Sequence, residues 1–189
     1  DAVPAKRINL TDIILPDIQR EMESLQDAMR EVMATQQAAD AANGGVKRRE
    51  ITSVPEQVGS VYVADDTAFS LYGFTQEAAN QYIDAVSALA NKVDSDVTVY
   101  DIVVPISTGI YLDEALQKEL GCSDEQEAIQ YIYNNMDDKV VTVDAFTTLK
   151  SHSDEYLYFR TDHHWTALGA YYTYCQLMKE KGITPTSLG

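Results

Sequence analysis

Four consecutive positions of this 189-residue chain hold Asp162, two of its three histidines, His163 and His164, and its single tryptophan, Trp165. A histidine that titrates near neutrality can take a proton from a hydroxyl and return it to a leaving group, and it does so best when a carboxylate fixes its tautomer. Asp162 and His164 are two apart, so in an extended or turning segment they can point the same way, whereas the neighbours Asp162 and His163 tend to diverge. The spacing selects Asp162 as orienter and His164 as base. The same residues also allow a bland arrangement: Asp162 caps a loop, His163 is solvated, His164 is a hydrogen-bonded interior side chain and Trp165 anchors the loop. His152, in SHSDE, reads as a solvated turn residue.

Metal binding is the other chemical use of Asp and His. It needs three or four converging ligands, yet adjacent histidines seldom share a direction, and the nearest upstream carboxylates are Asp65-Asp66. The expectation is therefore no metal and no cofactor. Cys122 and Cys175 match no zinc spacing and read as two separate thiols, since pairing would require Cα atoms within about 7 Å.

The elements that position these residues follow from periodicity. VYVA at 61–64, VTVYDIVV at 97–104, VVTV within 139–143 and YLYF at 156–159 read as β runs. TQEAANQYIDAVSALANKV has Thr75 as a cap and Ala79, Tyr82, Ile83, Val86, Leu89 and Val93 on one face of a helix. Gly121 stops a helix over LDEALQKEL, Ser123 with Gln126 forms a capping box for the next, and Thr166 caps a last helix that Gly182 ends. Strands alternating with helices indicate a three-layer α/β domain with a mainly parallel sheet, where ligands sit beyond the carboxyl ends of strands. Asp162 to Trp165 would lie at such an end. A long amphipathic helix after Pro16, with Ile18, Met22, Leu25, Met29 and Met33 on one stripe, makes residues 1–45 an N-terminal helical extension and 46–189 the α/β domain.

Bulk composition narrows the partners. A net charge of −16, from 14 basic and 30 acidic residues, disfavours nucleic acid and anionic lipid surfaces. No run reaches the roughly 18 apolar residues of a membrane span. The start DAVPAKR, without Met, suggests a removed leader or anchor, and so export.

YFRTDHHWTALGAYYTY resembles the signature of the DHHW family, bacterial envelope proteins similar to the SGNH-hydrolase-like domain of alginate O-acetyltransferases. VGSVYVADDTAF, VTVYDIVVPISTGIYL and VVTVDAFTTLKSHSDEYLYF extend the likeness over about residues 58–184. The resemblance implies a flavodoxin-like fold, an extracytoplasmic location and acyl-ester chemistry, as O-acetyl esterase or O-acetyltransferase, on an envelope carbohydrate. The family's Asp-x-His pair maps onto Asp162 and His164. Its serine follows in a Gly-Asp-Ser turn, and this sequence holds no such turn. Three readings fit: a serine beyond Gly189, another hydroxyl such as Ser107 in VVPISTGIYL, or a non-catalytic member. Arg160, Thr161, His163, Trp165 and Tyr171 are candidates for binding substrate or supporting the loop, and the expected partner is an acylated carbohydrate or acyl donor. The alternatives are a carbohydrate-binding module that stacks tyrosines such as Tyr171, Tyr172 and Tyr174 on sugars, and a metal-dependent DHH phosphoesterase, which would need an upstream Asp-x-Asp.

Overall fold

Between Glu56 and Phe69 the chain folds on itself twice with only two residues at each reversal. In a computed structural model, which describes residues 50–187, β1 (Glu56–Val58), β2 (Val61–Ala64) and β3 (Thr67–Phe69) form an antiparallel sheet in the order β1-β2-β3. The registers Val58↔Val61 and Ala64↔Thr67 leave Gly59-Ser60 and Asp65-Asp66 as the two turns. Gly59 (φ 64°) and Asp65 (φ 52°) adopt the left-handed conformation that matches tight hairpins to the twist of their strands. Asp65 is held there because its carboxylate accepts from the Thr52 backbone at 2.8 Å and its own N–H donates to Ser53 Oγ at 2.8 Å.

Two-residue turns leave no room for a crossover helix, and this overturns the expected three-layer, mainly parallel sheet of flavodoxin or SGNH type. The only parallel pairing among the described residues joins β4 (Val99–Asp101) to β5 (Val140–Thr142), in register Val99↔Val140. The run at 97–104 gives only three strand residues, and YLYF gives no sheet strand but an isolated antiparallel bridge, Tyr158↔Trp165. The fold is thus a small mixed α/β arrangement of two separate sheets and six helices among the described residues. The expected N-terminal helix lies outside the described residues.

The helices are α1 (Gln76–Ala90), α2 (Ser107–Tyr111), α3 (Glu114–Glu119), α4 (Glu125–Asn134), α5 (Ala145–Lys150) and α6 (Ala167–Glu180). Thr75 caps α1, whose Ala79, Ile83 and Ala90 are buried, while Tyr82 and Leu89 of the same expected face stay exposed. The α4 cap is one residue later than the S-x-x-Q pattern implied: Asp124 accepts from Glu127 N at 2.9 Å, and Ser123 Oγ instead accepts from Phe74 N at 3.0 Å. Ser123 ties α4 to the segment before α1, a long-range use that a capping pattern cannot reveal. The short α2 and α5 were not evident from periodicity, since neither completes two helical turns.

Three apolar clusters form the core. One packs α1 on α4 and β5 through Ala79, Ile83, Ala90, Ile132, Met136 and Val140. A second joins Ile110, Ile129, Phe146, Leu149, Leu157 and Tyr158, with Trp165, Leu168 and Tyr172 packed against it. Ala64, Phe69 and Leu112 make the third, beside the hairpins. The second lies beneath the Asp162–Trp165 loop.

Candidate functional site

The loop is a hairpin-like excursion clamped at its stem. Phe159 N donates to His164 O at 3.1 Å, and Thr166 N donates to Leu157 O at 2.7 Å, so the chain leaves and re-enters through two cross-links. Thr166 does double work. Its Oγ1 donates to Tyr156 O at 2.8 Å and receives Gly169 N at 3.4 Å, which caps α6 where the loop ends. Gly169 lets α6 approach closely: a Cβ there would stand 2.7 Å from Leu157 O. The outgoing strand is fixed by Tyr111, whose hydroxyl accepts from Leu157 N (2.7 Å) and Tyr158 N (3.2 Å) and donates to Glu155 O (2.9 Å). Leu157 and Tyr158 are fully buried, so the flexible-looking polar turn stands on a rigid base.

At the tip, Asp162 Oδ1 accepts from the His164 backbone N–H at 2.8 Å and lies 2.5 Å from His164 Nδ1. This i to i+2 contact is a local Asx turn, which is why two residues of spacing sufficed to bring the pair together. A carboxylate at Nδ1 keeps the proton there and leaves Nε2 as the acceptor. Among the described residues no group hydrogen-bonds His164 Nε2. The His164 N–H, then the imidazole beside it, then the charges of His164 and His163, hold the Asp162 carboxyl below its ordinary range. The pair is open to solvent, with side-chain exposures of 66% for His164 and 52% for Asp162. The expected divergence of neighbouring side chains does not extend to the two histidines, whose ring centroids are 4.1 Å apart and tilted by 33°.

The remaining candidates fall into separate places. Arg160 pairs with Asp66 at 2.7 Å and lies over the Tyr156 ring at 5.7 Å, while Ala68 N donates to Arg160 O at 2.7 Å. Arg160 therefore staples the outgoing strand to β3, and the upstream Asp66 serves as its partner. Thr161 is exposed, and Trp165 is half-buried against the core. Ser107 is buried at the start of α2, 5% exposed, and no hydrogen bond joins it to His164. Its loop is still tied to the motif strand, because Tyr158 OH donates to Pro105 O at 2.5 Å. Tyr171 OH donates to Thr186 O at 3.0 Å, Tyr174 OH accepts from Thr186 N at 3.3 Å, and Tyr172 OH contacts both Glu155 oxygens at 2.9 Å. Those tyrosines hold the chain's own segments. His152, expected in solvent, is half-buried: it stacks on Tyr172 at 3.7 Å with Nδ1 2.8 Å from Glu155 Oε1.

Sequence reasoning had no signal for Tyr111 as the hub beneath the motif, or for Glu125. Glu125 is 4% exposed, accepts from Ile106 N at 3.0 Å and leaves Oε2 without a partner. Burial pushes its carboxyl up to about 7, against the opposing pull of the Ile106 N–H. It lines a cavity of about 380 Å³ with Gly109, Gln117, Phe146 and Lys150, and none of Asp162, His163 or His164 borders that space.

A buried stem, a solvent-facing Asp-x-His tip and a mixed α/β scaffold define the class: an α/β protein that presents an oriented imidazole on a clamped loop. The chain belongs to the DHHW family, whose description, DHHW protein, matches residues 17–189. It is similar to a DHHW family protein from Eubacterium siraeum DSM 15702, at 31% identity and a TM-score of 0.65 over 72% of this chain and 45% of that one. It also resembles PatB1 of Bacillus cereus solved with a sulfonyl adduct, at 20% identity and TM-score 0.54 over 65% of this chain and 43% of that one. At that identity the second likeness concerns the fold alone. The chain thus spans less than half the length of these solved relatives. No curated protein matches it. Among the described residues no helix is long and apolar enough to cross a membrane.

Proposed function

We propose that the protein takes part in acyl-ester chemistry, as an O-acetyl esterase or O-acetyltransferase acting on an extracytoplasmic carbohydrate, with His164 as general base and Asp162 as its orienter. The observation that carries this reading is the double contact of Asp162 Oδ1 with the His164 N–H and Nδ1, which fixes the ring and frees Nε2. In this role Nε2 removes the proton from a serine hydroxyl as it attacks the acyl carbon, and the imidazolium then gives that proton to the departing oxygen. Asp162, held ionised by its hydrogen bonds, stabilises the imidazolium between the two steps.

The serine is not identified among the described residues. Ser107 is a poor substitute, because it is buried and no hydrogen bond joins it to His164. The 66% exposure of His164 fits an arrangement in which further residues supply the hydroxyl, the oxyanion donors and the walls of the site.

The substrate class rests on the resemblance of TDHHWT to the acetyltransferase motif. It is tested by incubating the full-length protein with O-acetylated polysaccharide and measuring acetate released and acetyl groups transferred to a second glycan. Turnover by the native protein that is lost in Asp162→Asn supports the reading. Glycan binding with no turnover in either protein would favour a binding module instead.

A further inference from the structure

Asp162, His163 and His164 each offer a ligand atom, and the three atoms lie within 4.8 Å of one another on the exposed loop. We propose that these three side chains bind one divalent transition-metal ion, and that the ion competes with the Asp162–His164 hydrogen bond. Two imidazoles and one carboxylate suit zinc, nickel and cobalt, with metal–nitrogen and metal–oxygen bonds of about 2.0–2.2 Å. A centre with such bonds needs ligand atoms roughly 3.3 Å apart around a tetrahedron. The present spread therefore closes by an ångström or so through side-chain rotation, which exposed side chains undergo readily.

Four observations favour a ligand here. The His163 and His164 rings lie side by side, 4.1 Å between centroids, instead of diverging. No hydrogen bond among the described residues occupies His163's ring or His164 Nε2, so both have a nitrogen available. The stem that carries them is fixed by Phe159 N to His164 O and Thr166 N to Leu157 O, which lowers the ordering cost of a chelate. A chain carrying −16 also raises the local concentration of cations.

Binding would draw Asp162 Oδ1 and an imidazole nitrogen onto the ion, so the base loses its orienter or its free electron pair. That inhibitory consequence rests on the acid–base role proposed above, whereas the binding does not. The ion would then act as a reversible block on the same loop.

Trp165, the only tryptophan, adjoins the site, so its fluorescence reports a bound paramagnetic ion. Ni²⁺ titrated into the full chain should quench it with one ion per chain, and Zn²⁺ should reverse the quenching by displacement. His163→Ala and His164→Ala should each weaken the affinity at least tenfold. His152→Ala, which alters the only other histidine, should leave it within about twofold. Circular dichroism of each variant separates lost folding from lost ligands, and isothermal titration with Zn²⁺ gives the stoichiometry without the fluorophore. Quenching that survives in His163→Ala, or that follows His152→Ala, overturns the site. One Zn²⁺ bound with acetyl-ester turnover unchanged would keep the site and sink the inhibition.

Discussion

Two carboxylates in this protein show what surroundings do to the same chemical group. Asp162 stands in solvent at a loop tip, accepts the His164 N–H and lies against an imidazole, and its carboxyl is held below the ordinary range. Glu125 is buried at the start of α4 with one oxygen bonded to Ile106 N and the other unpartnered, and its carboxyl is pushed up to about 7. Hydrogen bonds to the charged form win at the tip, whereas desolvation wins in the interior. The exposed acid is thus built to remain an anion beside a histidine. The buried one titrates near physiological pH and contributes a tether to the loop that begins α2. The larger shift lies away from the Asp-His pair, so a perturbed carboxyl alone does not point to that pair.

The comparison is sharpest in the pH dependence of stability. Glu125 titrates near 4.5 when unfolded and near 7 when folded, so between those values the folded state holds a proton that the unfolded state has lost. Stability falls as pH rises through that window and is level on either side, by on the order of 3 kcal/mol in total. Urea denaturation from pH 4 to 8 should show this slope in the native protein and not in Glu125→Gln; equal slopes would remove the buried acid from the account.

The next largest effect concerns the stem of the loop. Gly169→Ala puts a Cβ 2.7 Å from Leu157 O, and the shift of α6 needed to relieve it should cost about 1–3 kcal/mol. A lowered thermal midpoint checks it, while an unchanged one would show that α6 can slide freely over the strand. Arg160→Ala removes a half-exposed ion pair with Asp66, worth no more than about 1 kcal/mol, and salt should shrink the difference in midpoint between native and variant.

Smallest is the effect of Asp162→Asn on stability. As a depressed acid, Asp162 contributes above its ordinary value and loses that contribution only as pH falls through its lowered one. At pH 7, where that contribution is fully present, the variant should unfold slightly below the native midpoint, by less than Arg160→Ala does, and the two midpoints should meet as pH falls below 3.8. Carboxyl NMR of the native protein should show Asp162 titrating below 3.8.

How much of this was legible depended on the range of the interactions. The caps at Thr75 and Thr166 and the Asp162–His164 contact are local, and spacing alone located them. Short β-branched runs look alike whether they pair in parallel or in hairpins, so the architecture does not follow from them. At 59–60 and 65–66 the two-residue turns decided the matter, and YLYF found only a bridge partner in Trp165. Ser123, Tyr111 and Glu125 act across long stretches of sequence, on Phe74 N, Leu157 N and Ile106 N, so no local pattern announces them. The proximity of the His163 and His164 rings comes from the way the clamped loop turns, and alternation along an extended strand predicts the opposite.

The central claim assigns the base to one histidine of an adjacent pair, and it is tested most directly by comparing them. Initial rates of p-nitrophenyl acetate hydrolysis by the full-length protein should fall about 10²- to 10⁴-fold in His164→Ala. His163→Ala, which leaves the Asp162–His164 contact in place, should fall less than about tenfold on the same scale. Equal losses in the two variants, or a native rate in His164→Ala, would contradict the assignment.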